Sequence, residues 1–167
     1  MSREVSRVAA DADGRPRTKF EEIEVGKSLG SMRWSVSRQD VEGLILSDLE
    51  YDPWFESTGS GGGGVVPPLA TYPPVRVLFT KVYNIRGVFY EFESEFLNPI
   101  PYGLALVISG QVADKWVKRE REYVKYMAVG EDEVGEIYFR TSRTHALDYL
   151  DTRVPKKGRG IDSGIGS

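Results

Sequence analysis

Apolar and polar positions follow two rhythms between residues 19 and 152. Met32, Trp34 and Val36 alternate with polar residues, the period of a half-buried strand. Ser37 follows, with Asp40 three residues on. This is a variant of the capping box with Asp in place of Glu or Gln. Val41, Leu44, Ile45 and Leu49 then recur at the spacing of one helical face, which predicts a helix from Ser37 to about residue 48. Residues 49–67 read as a loop containing Gly61-Gly62-Gly63-Gly64. Leu69, Tyr72, Val75 or Arg76, and Phe79 return to the helical period. Pro67 or Pro68 suits the first turn of that helix. Pro73 and Pro74 would each cost on the order of 3 kcal/mol in a helix interior, so the pattern predicts a kink there or a helix starting at Pro74.

The rest of the chain reads as four strands. Tyr90, Phe92 and Phe96 are expected on one face of a strand over 89–97, and Glu91, Glu93 and Glu95 on the other. Side chains two apart on a strand do not converge easily on a cation, so this acidic row reads as a solvated face. Asn98–Gly103 is a turn. A long strand runs from Leu104 to about Val117, Lys118–Arg121 is a charged hairpin, and Glu122–Val129 returns. The last strand begins at Gly135–Arg140. Short turns between successive strands imply an antiparallel meander. The layout is α+β, with a helix packed on a sheet. Residues 1–18 and 153–167 read as flexible tails on one domain spanning 19–152.

Composition narrows the function classes. Twenty-two Lys and Arg against 25 Asp and Glu give a net charge of −3, which argues against binding nucleic acid through its phosphates. Lys115, Lys118, Arg119 and Arg121 read as a solvated hairpin, or as a greeting for coenzyme A phosphates if they border a pocket. No apolar run reaches the roughly 20 residues of a membrane span, and the basic N-terminus lacks the apolar core of a secretory signal. Cysteine is absent, which removes disulfides, thiolate metal sites and cysteine nucleophiles and fits a cytoplasmic location. The one histidine, His145, excludes any intrachain site needing two imidazoles, and no metal site is expected.

Several stretches taken in order resemble the MaoC-like hydratase/dehydratase branch of the hot-dog fold. They are Phe20–Gly26, the capped helix from Ser37, Asp52-Pro53-Trp54-Phe55, the glycine-rich approach to Val65-Val66-Pro67-Pro68, and Phe96–Gly103 leading into a long strand. The resemblance implies a hot-dog fold, a curved antiparallel β-sheet wrapped around a central helix. It also implies enoyl-thioester hydration or 3-hydroxyacyl dehydration on an acyl-CoA or acyl-carrier-protein thioester, without a cofactor. Such domains pair, so a homodimer, or a heterodimer or heterotetramer with another hot-dog subunit, is implied as well.

The family's Asp-x-Asn-Pro-x-His motif holds and activates a water. Here the matching stretch is Glu50-Tyr51-Asp52-Pro53-Trp54-Phe55. Glu50 keeps a carboxylate where the family has Asp. Phe55, which neither accepts nor donates a proton, stands where the family has His. The dyad is therefore incomplete, and the resemblance implies a hydratase with an altered site, a non-catalytic acyl-thioester-binding partner subunit of a heteromeric one, or a hot-dog protein with unrelated ligand chemistry.

Glu50 and Asp52 are the candidate catalytic residues, although Asp52 before Pro53 equally makes a turn. Gly64, Val65 and Val66 are candidates for presenting a backbone N–H to the thioester carbonyl. Trp54, Phe55 and Tyr72 either pack in the core or line an acyl tunnel. His145 matches no family catalytic position and is expected at the surface or an edge.

Overall fold

The computed structural model describes residues 14–41, 64–85 and 87–147. Five strands make one antiparallel sheet: β1 (Ser28–Trp34), β2 (Gly87–Phe96), β3 (Leu106–Lys118), β4 (Arg121–Glu131) and β5 (Ile137–Leu147). Their order across the sheet is β1-β3-β4-β5-β2. A helix, Tyr72–Val82, lies against the inner face. The architecture is α+β, a sheet wrapped around a central helix in the hot-dog topology.

The meander expectation fails at one connection. All neighbours are antiparallel, but β2 lies beside β5 and not beside β3. The chain from 97 to 105 therefore crosses from one side of the sheet to the other. Pro99 and Pro101 in that segment lack the N–H groups a hairpin ladder would use. Instead, Ile100 O accepts a hydrogen bond from Val66 N–H at 2.8 Å, and Val65 bridges Pro101. The crossover thus fastens the entry to the central helix.

That entry settles the position of the four prolines. A 3-10 turn, Pro68–Thr71, runs directly into the helix at Tyr72. Pro73 and Pro74 then fall in the first helical turn, where amide donors have no intrahelical acceptor. The helix thus begins at Tyr72, two residues before the expected Pro74, and the 3-10 turn stands ahead of it. Val75, Leu78 and Phe79 are buried against the sheet, and the Phe79 ring stacks on Tyr126 with centroids 4.2 Å apart.

The Ser37 cap forms as read. Asp40 Oδ2 accepts from Ser37 N–H at 2.9 Å and from its hydroxyl at 2.6 Å, while Asp40 N–H donates to Ser37 Oγ at 3.2 Å. These bonds hold the Asp40 carboxyl below the usual carboxylate range. The helix opens at 38; its continuation lies outside the described residues. Residues placed by sequence at the end of the N-terminal tail make specific bonds. Thr18 N–H donates to Asn84 O at 3.0 Å, and Arg15 Nη1 donates to Thr80 O at 2.9 Å.

A bulge between Phe89 and Glu91 corrects the facing of β2. Phe89, not Tyr90, joins Phe92 and Phe96 on the inner face. Tyr90 turns outward and meets Tyr123 edge-on at 5.1 Å, and Tyr123 stacks on Trp116 at 5.4 Å. Ala146 on the intervening strand pairs with both Tyr123 and Val88.

Two local features yield stability predictions. Arg119 and Glu120 close the β3–β4 hairpin with φ of 51° and 61°, a left-handed pair that Asn-Gly adopts far more readily. Replacing them together, Arg119→Asn with Glu120→Gly, is expected to raise stability by roughly 1–2 kcal/mol. An unchanged or lower urea midpoint would contradict this. Gly130 pairs with Phe139, whose fully buried ring occupies the space a Cβ would need. Gly130→Ala should lower the urea midpoint by the equivalent of ~1–3 kcal/mol.

Candidate functional site

The crossover and the helix entry enclose an apolar cleft of about 200 Å³. Val65, Val66 and Pro68 form one wall, and Phe96, Leu97 and Ile100 the other. Gly64 precedes it with φ of 68°, a left-handed conformation that glycine adopts without strain. Val66 N–H is committed to Ile100 O, so Val66 contributes its side chain to the wall and not a donor to a ligand. Among the described residues, no acceptor meets the N–H of Gly64 or Val65. An apolar slot next to backbone donors that meet no acceptor among the described residues suits a ligand with a carbonyl on an apolar chain.

A second group of side chains lies under the start of the helix. Arg143 on β5 is 1% exposed. Its Nη1 donates to Tyr72 O at 2.7 Å, tying β5 to the first residue of the helix. The guanidinium lies 4.1 Å from the centroid of the Tyr72 ring and 5.3 Å from that of Phe92. Tyr72 meets Phe89 and Phe92 edge-on at 5.6 and 6.2 Å. Nε and Nη2 of Arg143 and the Tyr126 hydroxyl make no hydrogen bond of ordinary geometry among the described residues, although the guanidinium and the phenol lie close enough to interact. No carboxylate among these contacts neutralises the cation; a carbonyl and two π faces hold it. Burial lowers the Arg143 pKa, with the nearby Tyr126 and Tyr72 opposing. Burial also pushes the Tyr126 phenol up to about 12.

His145 belongs to this inner layer, not to the surface or an edge. Its ring is parallel to Tyr126 at 5.6 Å and Phe79 at 6.3 Å, and Phe89 meets it edge-on at 5.5 Å. β5 runs between β4 and β2, and the alternation that buries Phe139 and Arg143 turns His145 inward too. Burial, then the charges of Arg143 and Arg76, push its pKa down to about 4.

Of the residues singled out from sequence, Val65 and Val66 line the cleft, and Gly64 precedes them in the chain. Tyr72 does not line it and instead covers Arg143. Glu50, Asp52, Trp54 and Phe55 lie outside the described residues. Sequence reasoning missed Arg143, Tyr126 and Phe89. For Arg143 the signal was present, because it is four residues from Phe139 on the same strand face. Among the described residues, no three acidic or histidine side chains stand together as a metal site would require. No described helix is long and apolar enough to cross a membrane.

The low pKa of His145 sets a pH dependence. Unfolded, the ring titrates near its ordinary 6.5; folded, near 4. Between those values the unfolded chain takes up a proton that the folded chain does not. Stability is therefore fully present above 6.5 and falls as pH drops toward 4, by about 2 kcal/mol after allowing for partial solvent access. His145→Phe keeps a stacking ring and removes the titration. Urea unfolding at pH 7 and pH 4.5 should show a smaller acid loss in the variant; equal losses would contradict the assignment.

No protein-family profile matches the sequence, and no curated protein does. Solved structures do. A MaoC-like dehydratase superposes with a TM-score of 0.67 at 21% identity, covering 80% of this chain and 44% of that one. The unliganded R-hydratase PhaJ1 from Pseudomonas aeruginosa gives 0.62 at 14% identity, covering 77% and 84%. The HadBC 3R-hydroxyacyl-ACP dehydratase complex from Mycobacterium tuberculosis gives 0.61 at 15% identity, covering 78% and 99%. At such identities the likeness is one of fold: the chain is a hot-dog protein, with the architecture found in these hydratases and dehydratases.

Proposed function

We propose that the chain handles an acyl-CoA or acyl-carrier-protein thioester as a hydratase/dehydratase-type subunit, with its acyl chain in the cleft at the helix entry. The observation that carries this reading is an apolar slot lined by Val65 and Val66, beside N–H groups of Gly64 and Val65 that meet no acceptor among the described residues. The thioester carbonyl accepts from those donors, which stabilises the negative charge that develops on it during addition at C3 or elimination. Glu50 supplies the carboxylate that activates water, and Asp52 stands beside it in the motif. Trp54 and Phe55, neighbours of Asp52 in that motif, are assigned to binding the acyl chain. Hydration moves only water and protons, so no cofactor is required.

The imidazole is the missing part. Phe55 occupies its place in the motif, and His145, the chain's one histidine, is stacked beneath the helix on Phe79 and Tyr126. That observation favours the second reading, a subunit that binds the acyl group while another hot-dog chain completes the acid–base pair. Such pairing joins the sheets of two subunits edge to edge through β2 and buries on the order of 2,000 Å². Among the similar structures, HadBC is itself a complex.

Calorimetry with crotonyl-CoA and octanoyl-CoA tests the binding. Micromolar affinity is expected for the longer chain, because each buried methylene contributes about 0.8 kcal/mol. Leu97→Asp places a charge in the cleft wall at an exposed position and should weaken octanoyl-CoA binding by tenfold or more. Loss of an acid–base group typically costs ~10²–10⁴-fold, so the chain alone should hydrate crotonyl-CoA at a small fraction of an ordinary hydratase rate. Full turnover abolished by Glu50→Gln would show that one carboxylate suffices. Absence of binding by any acyl-CoA would overturn the site.

A further inference from the structure

β2 is a sheet edge. β5 pairs with one of its sides, and no described strand lies on the other. The strand is ten residues long with neither proline nor lysine, and it exposes Val88, Phe89, Tyr90, Phe92 and Phe96. Free edges are ordinarily short, or guarded by lysine or proline, because an open ladder of N–H and C=O groups recruits another strand.

Charge decides which strand it recruits. Beyond the bulge, Glu91, Glu93 and Glu95 stand on the outer face, and Phe92, Ser94 and Phe96 on the inner. A twofold antiparallel pairing of two copies that keeps the inner faces together sets odd residues opposite odd residues. In the register centred on Glu93, Glu93 opposes its own copy and Glu91 opposes Glu95. Centred one residue to either side, Glu93 meets Glu91 or Glu95. Centred on Glu91 or Glu95, that residue meets itself. Every register centred from 91 to 95 therefore brings at least one pair of like charges together, which is unfavourable for directly opposed residues. The strand's own surroundings offset this only in part. Lys125 reaches Glu93 at 3.3 Å and Arg140 reaches Glu95 at 3.5 Å, both in exposed pairs, and Glu91 meets no cation among the described residues.

We infer that the β2 edge pairs with a different hot-dog chain, one whose facing strand carries Lys or Arg on its outer face, in preference to a second copy of itself. This rests on the reading of β2 as the pairing edge, and the partner's cations complete the charge that Lys125 and Arg140 leave over.

Sedimentation and mass photometry of three full-length chains test it: the natural one, a neutral variant (Glu91→Gln, Glu93→Gln, Glu95→Gln) and a basic variant (Glu91→Lys, Glu93→Lys, Glu95→Lys). The natural chain is expected to self-associate weakly at micromolar concentration. The neutral variant should self-associate about tenfold more tightly or better. Natural and basic chains, each mostly monomeric alone, should form a one-to-one dimer when mixed. Should the basic variant fail to fold beside Lys125 and Arg140, the neutral variant still decides. A tight dimer of the natural chain that neutralisation leaves unchanged overturns the preference for a different partner and keeps β2 as the pairing edge. No association in any combination overturns both, and the glutamates then only guard the edge.

Discussion

The Phe79 ring lies flat on Tyr126, 4.2 Å away, and both side chains are sealed from solvent. This contact joins the only long described helix to the middle of the sheet, and truncating such a ring typically costs about 3–5 kcal/mol. With Phe79 fixed on β4, the helix start falls over β5. There Arg143 donates to the carbonyl of Tyr72 and is capped by the Tyr72 ring. A buried guanidinium with no carboxylate against it among the described residues is tolerated only where its surroundings are closely set, so the first turn of the helix has little freedom to shift.

That anchoring places the candidate site. The chain entering the helix must pass Val65 and Val66, and the crossover after β2 must come back over them. The hydrogen bond from Val66 to Ile100 locks the two segments together. The cleft is the space left between them, and its position follows from the helix packing instead of from any residue devoted to a ligand. One strand thereby has two duties. The end of β2 supplies Phe96 to the cleft, and its middle supplies the exposed edge on which a second subunit would build.

Local signals in the sequence carried the local structure. The Ser37–Asp40 box and the charged hairpin at Lys118–Arg121 depend on neighbours in the chain and form where they were read. Long-range features were harder to see. Alternation cannot reveal a bulge, so Tyr90 was assigned to the wrong face. Short turns favour a meander, so the passage of β2 to the far side of β5 was missed. His145 reads as peripheral because the last strand is recognised only from Gly135 to Arg140, and Arg143 goes unread for the same reason. Extending the period of Phe139 by four and six residues turns both inward. At the site, the stretch approaching Val65-Val66 was legible as a helix entry. The commitment of the Val66 donor to Ile100 was not, since that acceptor lies 34 positions further on.

The central claim is that an acyl thioester lies between the helix entry and the crossover. Amide hydrogen exchange with and without octanoyl-CoA examines that location residue by residue. Slowed exchange is predicted at Gly64 and Val65, whose N–H groups meet no described acceptor, and across residues 96–100 of the facing wall. Protection confined to other parts of the sheet, or none at saturating ligand, would contradict the account.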